Sequence, residues 1–303
     1  MAAGRAHGGP SAGGRHRSKL LLVLGITSVV LIAELVGSWL SGSLALLADA
    51  GHMFTDVAGV GLAVLAVTFA ARPATVERTF GYYRLEILAA VVNAVLLFGI
   101  AVFILVEAWQ RWSHPTEVQG GIMLVFAAVG LVANLVGLLI LRPGAAESLN
   151  VKGAYLEVLG DLLGSVAVVV AAGTIAVTGW LWVDPLASVL VALMILPRTW
   201  TLLRDAVDVL LEGTPKGVDL AQVREHLLTA PGVVDAHDLH AWTITSGMPV
   251  LSVHVVVDDD TLAAGTGPIL AELAGCLEDH FDVEHSTIQI EPAGMAPEHA
   301  TRP

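Results

Sequence analysis

Leu44–Ala70 reads LALLADAGHMFTDVAGVGLAVLAVTFA. The stretch is long and apolar enough to cross a bilayer, yet Asp49, His52 and Asp56 interrupt it. An ionisable side chain at mid-membrane costs roughly 2.5–3.5 kcal/mol on insertion scales unless it is paired, wetted or metal-bound, so it marks a function by default. His52 and Asp56 stand four residues apart, which sets both on one face of a helix. Glu157 and Asp161 repeat the spacing in a second apolar stretch. Two such helices facing each other bring one imidazole and three carboxylates to one point, a donor set for a divalent cation inside a membrane. Zn2+ accepts nitrogen and carboxylate oxygen in tetrahedral geometry. Without thiolates the hold is loose enough for release. Imidazole titrates near neutral pH, so protons compete with metal.

The rest of the chain agrees with a membrane setting. Of 303 residues, 55% are hydrophobic and 14% charged, whereas a soluble domain carries about a quarter charged. Apolar stretches lie near 20–41, 44–70, 86–109, 119–141, 153–178 and 181–200, each close to the ~20 residues that span hydrocarbon. The breaks carry turn residues such as Ser41-Gly42, Arg142-Pro143-Gly144 and Gly179. The first stretch lacks a small-residue cleavage site and reads as a retained span. Lys and Arg gather in the lead, after the second and fourth stretches, and at the end of the sixth, with Arg111 alone on the other side. The positive-inside rule then places both termini in the cytoplasm of a multi-pass protein of the cell membrane. Trp109, Trp112, Trp180 and Trp182 read as anchors at the outer interface.

Charge divides the chain. Up to residue 204 there are 12 Lys/Arg against 11 Asp/Glu, and beyond it 3 against 17. The acidic tail would repel nucleic acid. Its hydrophobic pattern changes too. Val218–Ala230 reads as a helix opened by Asp219, Val233–Thr245 and Pro249–Val257 as a hairpin around Ser246-Gly247, Leu262–Phe281 as a helix and Ser286–Ile290 as a strand. The expected fold is therefore a polytopic α-helical membrane protein of six transmembrane helices followed by a cytoplasmic α-β-β-α-β domain, ferredoxin-like or metallochaperone-like. The expected divisions are a disordered lead at 1–18, the membrane domain at 19–204, the cytoplasmic domain at 205–292 and a disordered end at 293–303. The single Cys276 excludes a disulfide framework within the chain.

Several motifs in order carry a resemblance. Ser43–Asp56, with Asp49, His52 and Asp56, resembles the second-span motif of the cation diffusion facilitator family of metal/proton antiporters. Phe80–Glu86 resembles that family's loop motif, Gly153–Ser165 its fifth span, and His237–Trp242 with Ile288–Pro292 its cytoplasmic domain. The resemblance implies a homodimer in lipid that exports Zn2+-like ions, including Co2+ and Cd2+, against protons. It implies a transport site of His52, Asp56, Glu157 and Asp161 and no organic cofactor. It also implies a regulatory site in the tail, drawn from His237, His254, Glu291, His240 and His285, and an ion pair between Arg84 and Glu212. Most members resemble one another in having His where this chain has Glu157. A carboxylate there hardens the ligand set, so a Mn2+ or Fe2+ exporter is the alternative. Tyr82 replaces a metal-binding His found in some relatives.

Two readings from other classes are weaker. An intramembrane metalloprotease would carry HExxH, which the chain lacks. A metal-sensing or storage protein would not need four ligands inside the spans. The reading is a secondary transporter and not an enzyme.

Overall fold

A computed structural model describes residues 12–70, 72–145, 149–281, 283 and 285–294. Of the lead expected at 1–18 and the end expected at 293–303, residues 1–11 and 295–303 lie outside the described residues. Contacts divide the chain into two units, Met1–Leu62 with Val92–Leu202 and Ala63–Val91 with Leu203–Pro303.

The first unit is helical. Its helices belong to α1 (Ala12–Ser41), α2 (Leu44–Ala70), α3 (Leu85–Ser113), α4 (Gly120–Leu141), α5 (Leu149–Thr178) and α6 (Val183–Leu210). All but α2 contain a segment long and apolar enough to cross a membrane. α2 has 27 residues, about 40 Å of helix, and carries the polar residues quoted above. Two boundaries differ from expectation. α1 starts at Ala12, inside the lead read as disordered. α6 runs past residue 204 to Leu210, through Pro197. Proline removes one helix hydrogen bond, and here the Thr201 hydroxyl donates to the Pro197 carbonyl at 3.0 Å.

Small side chains set the packing. Ala45, Ala48, Ala108, Ala127, Ala171, Ala172, Ala187 and Ala192 all lie in one buried cluster drawn from α2 to α6, so the helix backbones come close. At Gly120 a Cβ would stand 2.6 Å from the Ala176 nitrogen, so only glycine fits. Large apolar chains such as Val29, Ile32, Phe103, Val125 and Val170 point outward, the surface that hydrocarbon would cover.

One end of this unit is tied by a carboxylate. Asp184, fully buried at the start of α6, accepts from the Ser43 hydroxyl (2.5 Å) and from the Leu44 (2.9 Å) and Ala45 (3.2 Å) N–H groups. It thereby satisfies the open N–H groups of α2 and meets the positive end of that helix. Arg111, in the last turn of α3, lies 3.5 Å from Asp184 and donates to the Gly42 carbonyl at 2.7 Å. The Gln119 N–H donates to the Ser41 carbonyl at 2.9 Å, and Trp112 meets Trp182 edge to face at 4.7 Å. The α1–α2 turn, the α3–α4 connection and the start of α6 thus share one end, as spans of alternating direction require.

The second unit holds a three-stranded sheet. β1 (Val233–Thr243) pairs antiparallel with β2 (Pro249–Val257), and β2 pairs parallel with β3 (His285–Pro292), so β2 is central. α7 (Leu220–Leu227) is capped by Asp219, as expected. The helix expected at Leu262–Phe281 is two helices, α8 (Asp259–Ala264) and α9 (Gly267–Phe281), broken at Gly265 with φ +98°. That angle lies in the region glycine enters without penalty. Val223 and Leu227 of α7, Ile269, Leu273 and Leu277 of α9, and Leu251, Val253 and Val255 of β2 form its core. In the same unit Arg84 pairs with Glu212 at 3.0 Å, and the Thr245 hydroxyl donates to Glu86. The Tyr82 ring is occupied by Phe69 (centroids 6.4 Å apart) and by the Arg78 guanidinium at 4.5 Å.

Candidate metal centre

α2 and α5 bring three of the four expected ligands together. His52 Nε2 lies 3.2 Å from Asp161 Oδ1, and His52 Nδ1 lies 3.5 Å from Asp56 Oδ2. One ligand atom from each of these residues falls within 4.8 Å of the others. The His52–Asp56 contact follows from the four-residue spacing along α2; the contact to Asp161 joins the two helices. His52 Nδ1 and Asp161 Oδ1 are buried without a hydrogen-bond partner. Buried polar atoms normally have one, and donor atoms aimed at a common point without one fit a cation. Two cavities, of about 180 and 350 Å3, flank the cluster, and both are lined by Glu157 and Asp161.

Glu157 is placed differently. Its carboxylate accepts from Arg198 of α6 at 2.7 Å and stands outside the cluster. Sequence spacing put Glu157 and Asp161 on one helix face, and both do line the same two cavities. What the spacing could not show is the competing cation one residue after Pro197.

Behind the cluster lies a polar chain. The Asn134 amide donates to the Ser165 hydroxyl at 3.0 Å, and Ser165 donates to Asp49 at 3.4 Å. Asp49 is thus a supporting residue in this structure, outside the three-residue ligand group. Asn134 thus bonds across α4 and α5. Glu34 of α1 is buried, and its polar contact is a carboxyl–carboxyl hydrogen bond across to Asp49 of α2. Asp184, which anchors α2, was missed in the sequence.

The sheet gathers a second group. His237 and His254 face each other across β1 and β2, with rings 5.4 Å apart. Glu291 lies 3.4 Å from His237 Nε2 and 2.8 Å from His254 Nδ1. The Gln289 amide holds Glu291 at 2.8 Å. A register shift after His237, with Asp238 at φ +49°, turns β1 and sets Asp238 3.8 Å from His254. His240 is elsewhere, 3.0 Å from Asp238. His285 is exposed at the start of β3 and outside the group. Three of the five expected residues therefore converge.

Long apolar helices around a buried imidazole–carboxylate cluster, joined to a small acidic domain, define a multi-pass membrane protein that handles divalent cations. Residues 20–211 match the cation efflux transmembrane domain, and residues 215–293 match the cytoplasmic domain of cation efflux proteins. The chain is 50% identical to the metal cation efflux system protein CzcD of Cupriavidus metallidurans, over 97% of this chain and 91% of that one. It is 44% identical to the zinc transporter ZitB of Escherichia coli, over 90% and 87%. It is 40% identical to a cadmium, cobalt and zinc/H(+)-K(+) antiporter of Bacillus subtilis, over 92% and 90%. This chain belongs to the cation efflux family, and it is a transporter rather than an enzyme.

Proposed function

We propose that this chain exports Zn2+, with Co2+ and Cd2+ as further substrates, from the cytoplasm in exchange for protons. The observation that carries the reading is the convergence of His52, Asp56 and Asp161 between two apolar helices, with unpartnered donor atoms turned toward one another. The cation enters beside Glu157, which leaves Arg198 to become the fourth ligand. Imidazolium and carboxylic acid do not ligate metal, so protons arriving from outside drive release. The two conformers this requires differ in population as cation and proton bind. The relatives named above, called after zinc, cobalt and cadmium, favour these ions. The Mn2+ or Fe2+ alternative is not favoured, since none of the relatives named above is called after either ion.

Both termini lie in the cytoplasm, and the transport site comprises His52, Asp56, Glu157 and Asp161 within a membrane domain near 19–204. The domain near 205–292 joins two copies into a homodimer, in keeping with a family match named for dimerisation. His237, His254 and Glu291 form its regulatory metal site. The test is uptake of Zn2+, Co2+, Cd2+ and Mn2+ into proteoliposomes under a pH gradient. Asp161→Ala should lower Zn2+ flux by about 100-fold or more while the purified protein remains a dimer. Normal flux in that variant, or no flux of any metal in the wild type, would sink the reading.

A further inference from the structure

A third group of metal-ligating side chains lies on the helices α7 and α9 of the sheet domain. Cys276 and His280 are four residues apart on α9 and so share a face. α7, which packs against α9, brings His226 to the same place. One ligand atom from each of His226, Cys276 and His280 lies within 4.8 Å of the other two. The imidazoles of His226 and His280 approach to 4.6 Å between centroids, with Phe281 5.7 Å from His226 on one side. A ring nitrogen of His280, Nδ1, lies 3.3 Å from the Cys276 carbonyl. A carbonyl only accepts, so Nδ1 carries the proton and Nε2 keeps a free lone pair. Imidazoles that bind metal are commonly held in this way.

We propose that His226, Cys276 and His280 form a separate binding site for Zn2+ or Cd2+, pinning α7 to α9. The donor set differs in kind from the other two groups. They offer imidazole and carboxylate, whereas this one offers a sulfur and two nitrogens, which suit softer divalent ions. Zn–S near 2.3 Å and Zn–N near 2.0–2.1 Å give tetrahedral edges of about 3.3–3.6 Å. The ligand atoms, all within 4.8 Å of one another, therefore need to close by at most about 1.5 Å, within the reach of side-chain rotation. Three protein ligands leave one position for water, an open site of the exchangeable kind. Binding releases one proton, from the Cys276 thiol to solvent, as the sulfur–metal bond forms. The chain beyond residue 204, with 17 acidic against 3 basic residues, supplies a field that draws cations.

Cys276 is the chain's only cysteine, which gives this site a signal that neither of the others can produce. The full-length protein in detergent, freed of metal, is titrated with Co2+ and separately with Cd2+. A thiolate-to-metal charge-transfer band in the ultraviolet should grow and saturate at the amplitude of one thiolate ligand per chain, the two other groups taking up metal without contributing to it. It should vanish in Cys276→Ser, shift to at least about tenfold higher metal concentration in His226→Ala and in His280→Ala, and be unchanged in His254→Ala. Absence of the band in the wild type, or its persistence at unchanged affinity in both histidine variants, overturns the site. Should those variants not fold, the wild type suffices: Zn2+ should slow maleimide alkylation of Cys276 and a chelator should restore it. Alkylation indifferent to Zn2+ overturns the proposal equally.

Discussion

The membrane helices and the sheet each gather histidine with carboxylate, but they do so by different means. In the helical unit His52 reaches Asp56 along one helix and Asp161 across to another, with donor atoms left unpartnered. In the sheet His237, His254 and Glu291 come from three strands whose register fixes them, and Glu291 is already satisfied by His254 and Gln289. In the first cluster His52 Nδ1 and Asp161 Oδ1 make no hydrogen bond of good geometry and face open cavities. The second is content without a cation. The contrast separates a site that depends on its cargo from one that adds to a fold already complete.

The sharpest way to break this contrast is a matched pair of variants. His52→Ala should lower Zn2+ flux by about 100-fold or more, because it removes a ligand, while His254→Ala should change the maximal flux by no more than about twofold. Proteoliposome uptake measures both, and equal losses would erase the distinction. The next effect is structural. Asp184→Ala takes away the cap of α2 and one of the two carboxylates beside Arg111, Glu107 remaining at 3.1 Å, a loss of about 2 kcal/mol. Thermal melting in detergent should show it as a large drop in Tm; an unchanged melt would mean the cap is dispensable.

Smaller effects sharpen the comparison further. Arg198→Ala frees Glu157 from a pair that is more than half exposed on the arginine side and so is worth about 1 kcal/mol at most. The Zn2+ concentration for half-maximal flux should fall by about two- to fivefold, whereas a rise would make Arg198 a helper of binding. Smallest of all is a half-buried carboxylate in the sheet unit. Thr261 holds the Asp258 carboxyl below the usual range, first through its hydroxyl and then through its N–H, which donates at 2.7 Å. A lowered pKa in the folded state means stability that is present above the unfolded value and lost as pH falls through the folded one. Asp258→Asn should therefore trail the wild type at neutral pH, with the gap closing in acid. A gap constant with pH, read by circular dichroism, would remove the ionic origin.

The helices were legible because apolar length is a strong signal: the stretches read at 86–109 and near 119–141 return within α3 and as α4. The candidate ligands on α2 and α5 were legible for the opposite reason, since a charge in an apolar stretch is an anomaly. Histidines in the acidic tail are no anomaly; the hairpin reading alone suggests His237 facing His254 with Glu291 near, and the strand register separates these from His240 and His285. Asp184 was missed because an aspartate beside Trp182 and Pro185 looks like any turn residue, and nothing local shows that it caps a helix 140 residues earlier. Gly265 and Gly267 did punctuate the helix that was read as continuous. The hold of Arg198 on Glu157 joins two helices, and no spacing within one of them announces it.

The cap on α2 has a mechanical consequence. With its first residues bound to Asp184, α2 is hinged at one end like a pendulum. At 1.5 Å per residue His52 hangs about 12 Å below the fulcrum, and the far end of the helix about 39 Å below it. A swing of about 10° carries His52 about 2 Å and the far end about 7 Å. A carboxylate at the pivot thus gives any tilt of α2 a lever ratio of about three between the far end of the helix and His52.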